Sequence, residues 1–239
     1  MKCPKDADTK PKALDLFCGA GGTCAGLQAA GFDVTGVDII PQPGYPGHFI
    51  QADALTLGCT GYDFIWASPP CQGYIPGRKD AQAKHPKLIP QVREKLEATG
   101  IPFVLENVPG APLRKDLMLC GQMFGLPLIR HRVFELHGFT VPQPEHKKHQ
   151  GKVTEGTLVY VYGGGRPGCF GNNEKRNKIP KWTLAQKQAA MGITHINDER
   201  GLCEAIPPAY AEYIGKCLAV WPSDTLAQSV RRGVTEHGN

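Results

Sequence analysis

Residues 12–38 read KALDLFCGAGGTCAGLQAAGFDVTGVD, and this stretch decides the fold. KALDLF (12–17) is a short apolar strand that runs into a glycine-rich turn, CGAGG. TCAGLQAAGF has helical character and ends at Gly31. FDVTGVD (32–38) is a second strand closing on an acid. A strand, a tight turn, a helix and a strand in so few residues make a βαβ unit, whose two strands lie parallel.

The pattern continues outward. HFIQAD (48–53) ends in another acid, and YDFIWASPP (62–70) is a strand running into SPPC. PKLIPQVREKLEATG (86–100) reads mostly as a helix, with Pro90 near its start and Gly100 at its end. PFVLENV (102–108) and RHRVFEL (130–136) are two further strands. Strands alternating with helical connections predict an α/β fold, a doubly wound and mostly parallel sheet over residues 12–136. Residues 137–182 change character, being rich in Lys, His, Gly and Asn around one apolar stretch, TLVYVYG (157–163). Helical character returns at TLAQKQAAMG (183–192) and PPAYAEYIGKCLAV (207–220). Residues 183–222 are therefore expected to pack back on the body, ahead of a polar tail over 223–239.

Bulk properties narrow the class. The 239 residues carry 41% hydrophobic and 21% charged side chains, ordinary for a soluble globular chain. The polar start lacks the apolar core of a secretion signal, and no apolar run reaches the ~18 residues of a membrane span, so a cytoplasmic protein without a membrane partner is expected. No two of the 9 cysteines have Cys-x-x-Cys spacing, which argues against a zinc ribbon or redox pair. Most should be free, buried and inert, and no metal is expected. Between Thr140 and Trp182 lie Lys147, Lys148, Lys152, Arg166, Lys175, Arg176, Lys178 and Lys181 against Glu145, Glu155 and Glu174. This excess of basic residues equals the net charge of +5. Such a segment is either a solvated loop or a phosphate-contacting surface.

Chemistry gathers at the strand ends. Gly19, Gly21 and Gly22 let the backbone turn sharply and approach a ligand, with helix N–H groups facing it. This loop does not carry the strict G-x-G-x-x-G of nicotinamide-dependent enzymes. Asp38 is placed to accept hydrogen bonds from ribose hydroxyls, and Asp53 to reach an adenine amino group, so a nucleoside cofactor is expected at the carboxyl edge of the sheet. Cys71 follows a strand end on the same edge, stiffened by Pro69 and Pro70. It could be buried filler, a metal ligand or a nucleophile. Glu106 and Asn107 end the next strand, where burial can make the carboxyl a proton donor. Arg130 and Arg132 alternate on the following strand and should project to one face.

DLFCGAGG, GVD, SPPCQ, ENV and RHRVF, in this order, resemble the ordered motifs of the cytosine carbon-5 DNA methyltransferases, and EAIPPAYAEYIG resembles that family's closing motif. The compact size is similar to that of small methylases carried by bacteriophages. The resemblance implies a Rossmann-like, S-adenosylmethionine-dependent methyltransferase fold with a small basic recognition insertion. It makes Cys71 the nucleophile and Glu106 the acid, with Arg130 and Arg132 as active-site arginines. It implies that Phe17, Gly19, Ala20, Gly22, Asp38, Ile39, Asp53, Ala54 and Pro70 line S-adenosylmethionine. Gln72, with Arg78 and Lys79 on the loop after the cysteine and Lys147, Lys148, Arg176 and Lys178 in the insertion, is expected to meet nucleic acid. The implied partner is DNA containing cytosine, bound by a monomer; single-stranded DNA, RNA or a free cytidine nucleotide would suit the same chemistry. Amino-group methyltransferases place an aromatic directly after Pro-Pro, whereas this chain places a thiol there. Three departures stand out: Gly73-Tyr74-Ile75 where the family usually has Pro-Phe-Ser, Leu128 where it has Gln, and Cys203-Glu204 where it has Gly-Asn.

Overall fold

The first strand, β1 (Lys12–Leu16), is buried from its second residue onward and lies near the middle of a seven-stranded sheet. A computed structural model of the chain describes residues 9–75, 83–162 and 180–219. The remaining strands are β2 (Asp33–Asp38), β3 (His48–Gln51), β4 (Phe64–Ala67), β5 (Phe103–Asn107), β6 (Leu117–Leu119) and β7 (Arg132–His137). They are ordered β3-β2-β1-β4-β5-β7-β6. The pairs β1–β2, β2–β3, β1–β4 and β4–β5 are parallel, while β7 runs antiparallel to both β5 and β6. The helices are α1 (Gly22–Ala29), α2 (Ile89–Glu97), α3 (Leu184–Met191), α4 (Glu199–Glu204) and α5 (Pro208–Ala219).

Side-chain alternation feeds two cores. Phe64 and Trp66 of β4 join Leu27 of α1 and Tyr210, Ala211 and Ile214 of α5 on one face. Ile65 and Ala67 join Ile89, Val92 and Leu96 of α2 on the other. Because helices cover both faces, β4 and β5 are buried at every position, the signature of central parallel strands. The close seating of α5 on α1 depends on Gly26, where a Cβ would stand 2.1 Å from the Pro208 carbonyl oxygen. A third cluster joins Leu128, Val161, Met191, Ile193 and Leu202.

The Pro/Gly-rich connection from β2 to β3 forms no helix, and its Tyr45 ring packs over Gly36, where a Cβ would lie 2.2 Å from it. The structure differs from the sequence reading at one strand. Strand β6 is too short and too weakly patterned to be read from sequence. It pairs with β7 and closes the antiparallel edge. Within the apolar stretch that begins at Thr157, residues 157–162 form no strand, yet Leu158 and Val161 are buried.

Candidate active site

Parallel strands β1, β2, β4 and β5 bring their carboxyl ends to one edge, where a crevice ligand binds in open α/β sheets. After β1 the chain turns through Phe17 at φ 58, Gly19 at φ 48 and Gly21 at φ 89. A left-handed phenylalanine is strained, and such strain collects where a backbone must meet a ligand. A Cβ at Gly19 would face open space, so the loop leaves room beside its backbone. A Cβ at Gly22 would lie 2.4 Å from the Ile206 carbonyl oxygen, so this glycine serves packing of the helix start. His195 Nε2 contacts the Ala20 carbonyl oxygen at 3.1 Å, bringing the C-terminal segment against the loop.

Asp38 is locked between two backbone donors. Gly19 N–H donates to its Oδ2 and Ile40 N–H to its Oδ1, both at 3.0 Å. The acid that ends β2 is thus tied to the glycine loop, ready to accept from a diol. Ile39 beside it is 67% exposed and stands next to Ile40, also exposed. Asp53 is exposed and caps its own turn by accepting from Leu55 N–H at 2.8 Å, while Ala54 is buried beside it. An open glycine loop, an aligned carboxylate and an exposed isoleucine fit a nucleoside-bearing cofactor.

Cys71 is half-buried at the start of a single 3-10 turn, Gln72–Tyr74. Its mount is rigid for stated reasons. Asn107 Nδ2 donates to the Pro69 carbonyl at 2.8 Å, Trp66 Nε1 donates to Ser68 Oγ at 2.9 Å, and Ser68 N–H donates to the Leu16 carbonyl. Gly73 permits His85 and Pro86 to approach, since a Cβ there would lie 3.2 Å from the Pro86 carbonyl oxygen. This accounts for one departure from the family wording. Burial pushes the Cys71 thiol up; Arg132 pulls it back down, Glu106 raises it and Arg130 lowers it. These four residues therefore share one electrostatic field. Cys18 and Cys24 are buried, and burial drives both thiols upward, Cys24 to about 12. Such thiols are inert.

Glu106 and Arg132 form a buried ion pair, Nε to Oε1 2.9 Å, with side chains 6% and 10% exposed. The N–H lies off line, so Oε1 has no aligned donor. Gln72 Oε1 and Arg130 Nε are likewise buried without a partner. Orphaned polar atoms beside a thiol mark a place built for a polar ligand.

The expectation that the two arginines project together from one strand is corrected. Strand β7 begins at Arg132, and Arg130 precedes it. The Arg130 guanidinium donates to the carbonyls of Val161, Cys203 and Ala205 at 2.6–2.7 Å, and Tyr210 Oη donates to the Arg130 carbonyl. Burial lowers it to about 10, so it stays charged at neutral pH. It knits Val161 to the segment of Cys203 and Ala205. The same contacts explain why Cys203 can stand in the closing motif: its backbone carbonyl is what Arg130 uses.

Lys147 and Lys148 are exposed and line a groove of ≈ 730 Å³ with Gln122, Pro127 and Gln150. Lys147 pairs with Glu145 at 3.6 Å across solvent. Arg78, Lys79, Arg176 and Lys178 lie outside the described residues. Two features escaped the sequence reading. Asp15 on β1 is fully buried, accepts from Tyr45 Oη at 3.0 Å, and burial raises its carboxyl to about 8. Cys120, His131, His146 and His149 converge as well, although no metal was expected. Asp15 carries no local signal, and the H-x-x-H spacing of His146 and His149 is the one short-range clue to the cluster.

The fold is the Rossmann-like fold of the S-adenosylmethionine-dependent methyltransferases. Comparison with known proteins bears out the resemblance seen in the motifs. The type II methyltransferase M.XorII of Xanthomonas oryzae pv. oryzae is 28% identical over an alignment of 167 residues, covering 58% of this chain and 39% of that protein. The chain thus spans about two fifths of that curated relative. Among solved structures, one described as a DNA modification methyltransferase encoded within a prophage (E. coli) superposes with a TM-score of 0.60 at 16% identity, over 87% of this chain and 98% of that one. Spodoptera frugiperda DNMT2 superposes with a TM-score of 0.54 at 16% identity, over 87% and 99%. No family model matches the chain. Among the described residues no helix is long and apolar enough to cross a membrane.

Proposed function

We propose that the protein is a DNA methyltransferase that methylates carbon 5 of cytosine through a covalent adduct on Cys71. The observation that carries the reading is the thiol on a rigid turn sharing its field with the buried Glu106–Arg132 pair. The prophage-encoded neighbour, described as a DNA modification methyltransferase, supports DNA as the substrate.

Each residue's part follows from its surroundings. Carbon 5 of cytosine is a weak nucleophile until a thiolate adds at carbon 6. Cys71 forms that bond, with Arg132 drawing its thiol toward ionisation. Glu106 holds the proton at nitrogen 3 through its unsatisfied Oε1, so that negative charge does not build on the ring. Arg132 orients that carboxyl and faces the charge developing on the base. S-adenosylmethionine supplies an electrophilic methyl group. Phe17, Gly19, Ala20, Asp38, Ile39, Asp53, Ala54 and Pro70 would hold it, with Asp38 on the ribose and Ile39 against the base. A base then removes the carbon-5 proton and the Cys71 bond breaks. Gln72, a neighbour of the thiol with a buried unpaired carbonyl, contacts the target nucleotide or its vacated partner.

A cytosine in a duplex must leave the stack to reach a half-buried thiol, and unstacking costs a few kcal/mol. Lys147 and Lys148, with Arg78, Lys79, Arg176 and Lys178, supply phosphate contacts that favour the deformed complex. The enzyme works as a cytoplasmic monomer. The test is incubation with labelled S-adenosylmethionine and duplex DNA, single-stranded DNA, RNA or cytidine nucleotides, followed by digestion to nucleosides. Label in 5-methyldeoxycytidine from duplex DNA is expected. Label in N4-methyldeoxycytidine, or in the free nucleotide alone, would overturn the assignment.

A further inference from the structure

Four metal-ligand side chains meet at the base of the basic segment. His149 Nε2 lies 3.4 Å from Cys120 Sγ and 3.0 Å from His146 Nε2, which in turn lies 3.3 Å from His131 Nε2. One ligand atom from each of the four lies within 4.8 Å of the others. A neutral imidazole nitrogen offers either one proton or one lone pair in the ring plane. Yet His146 Nε2 touches two other ring nitrogens, and His149 Nε2 touches a nitrogen and a sulfur. Hydrogen bonding can satisfy only one contact at each atom. A cation accepting four lone pairs satisfies all of them together.

We propose that Cys120, His131, His146 and His149 bind one zinc ion in a tetrahedral site of one thiolate and three imidazoles. With bonds of ~2.0–2.1 Å to nitrogen and ~2.3 Å to sulfur, the edges of such a tetrahedron are ~3.3 Å between nitrogens and ~3.6 Å from nitrogen to sulfur. Three of the six separations, 3.0, 3.3 and 3.4 Å, are close to these, and the rest lie within 4.8 Å. A thiolate with imidazoles suits zinc and is foreign to calcium or magnesium. All four positions are filled by the protein, which makes the site structural rather than catalytic. On binding, the Cys120 thiol releases its proton to solvent and no electron changes hands. The sequence expectation of no metal looked for paired cysteines. The donors here are spread over three segments that only the fold brings together.

The position gives the ion its purpose. Cys120 follows β6, His131 stands between Arg130 and Arg132, and His146 and His149 flank Lys147 and Lys148. Arg132 Nη1 donates to the His131 carbonyl at 2.9 Å. The other side-chain hydrogen bonds from this loop to the body are exposed ones, Gln122 with Gln150, Gln143 with Met118 and Tyr213 with the Pro142 carbonyl. Zinc therefore pins the entry to the arginine strand and the start of the basic segment to one point. This consequence rests on the proposed role of Arg132; the metal assignment does not.

The test counts metal on the intact chain and needs no methyl transfer. Protein purified without chelator and dialysed against metal-free buffer is expected to carry about one zinc per chain by mass spectrometry. Replacement by cobalt(II) should give the intense visible bands of a tetrahedral site plus a thiolate-to-cobalt band in the near ultraviolet. Cys120→Ser should abolish the thiolate band and His146→Ala should reduce bound zinc at least tenfold, while Cys217→Ser should leave both unchanged. Wild-type spectra test the site even where a variant fails to fold. Folded wild-type protein without stoichiometric zinc or tetrahedral cobalt bands, or zinc that persists in both ligand variants, would overturn the proposal.

Discussion

Replacing Glu106 by Gln tests the site through its buried charge. The substitution keeps the shape of the side chain and removes its charge. Arg132, whose side chain is 10% exposed, then loses its counter-ion. Removing one partner of a buried pair commonly costs ~3–5 kcal/mol, because the other charge stays desolvated. The Nε–Oε1 contact of 2.9 Å is close but off line, so the hydrogen-bond share is small and the low end applies, about 3 kcal/mol. Arg132→Met should cost a similar amount from the opposite side. The double variant has no unpaired charge and should be less destabilised than the two single effects added together. Urea unfolding of the four proteins measures that coupling. Single-turnover methyl transfer should fall ~10²–10⁴-fold in Glu106→Gln, the scale of a lost acid. Strict additivity in the unfolding cycle, or near-normal transfer by Glu106→Gln, would refute the reasoning.

Other outcomes follow from the same geometry. Cys71→Ser should lose at least ~10³-fold in rate while keeping its fold, and DNA containing 5-fluorocytosine should crosslink the wild type and not the variant; equal crosslinking would exclude Cys71. Asp38→Ala should weaken S-adenosylmethionine binding by ~1–3 kcal/mol in calorimetry, with DNA affinity in the absence of cofactor unchanged. Asp15 keeps its proton in the folded state up to about 8 and loses it at 3.8 when unfolded. The native state therefore binds the extra proton between those values, and stability falls as pH rises through that window. At ~1.4 kcal/mol per pH unit the loss reaches up to about 4 kcal/mol by pH 7. Asp15→Asn should flatten that profile and raise the melting temperature at neutral pH; parallel profiles for the two proteins would contradict the assignment.

The sequence by itself determined the order of strands and turns along the catalytic edge. The run from Lys12 to Asp38 is a local pattern, and alternation, glycine turns and strand-end acids are all written in neighbouring residues. The positions of Asp38, Cys71 and Glu106 followed because parallel strands deliver their carboxyl ends to one side. What the tertiary structure alone decided depends on contacts between distant residues. Strand β6 exists because β7 offers it a partner. The Arg130 guanidinium is anchored on the carbonyls of Val161, Cys203 and Ala205, far along the chain, which no local pattern announces. Asp15 looks like any strand acid until Tyr45 and the sheet bury it. His146 and His149 stand in H-x-x-H spacing, but Cys120 and His131 join them only through the pairing of β6 with β7.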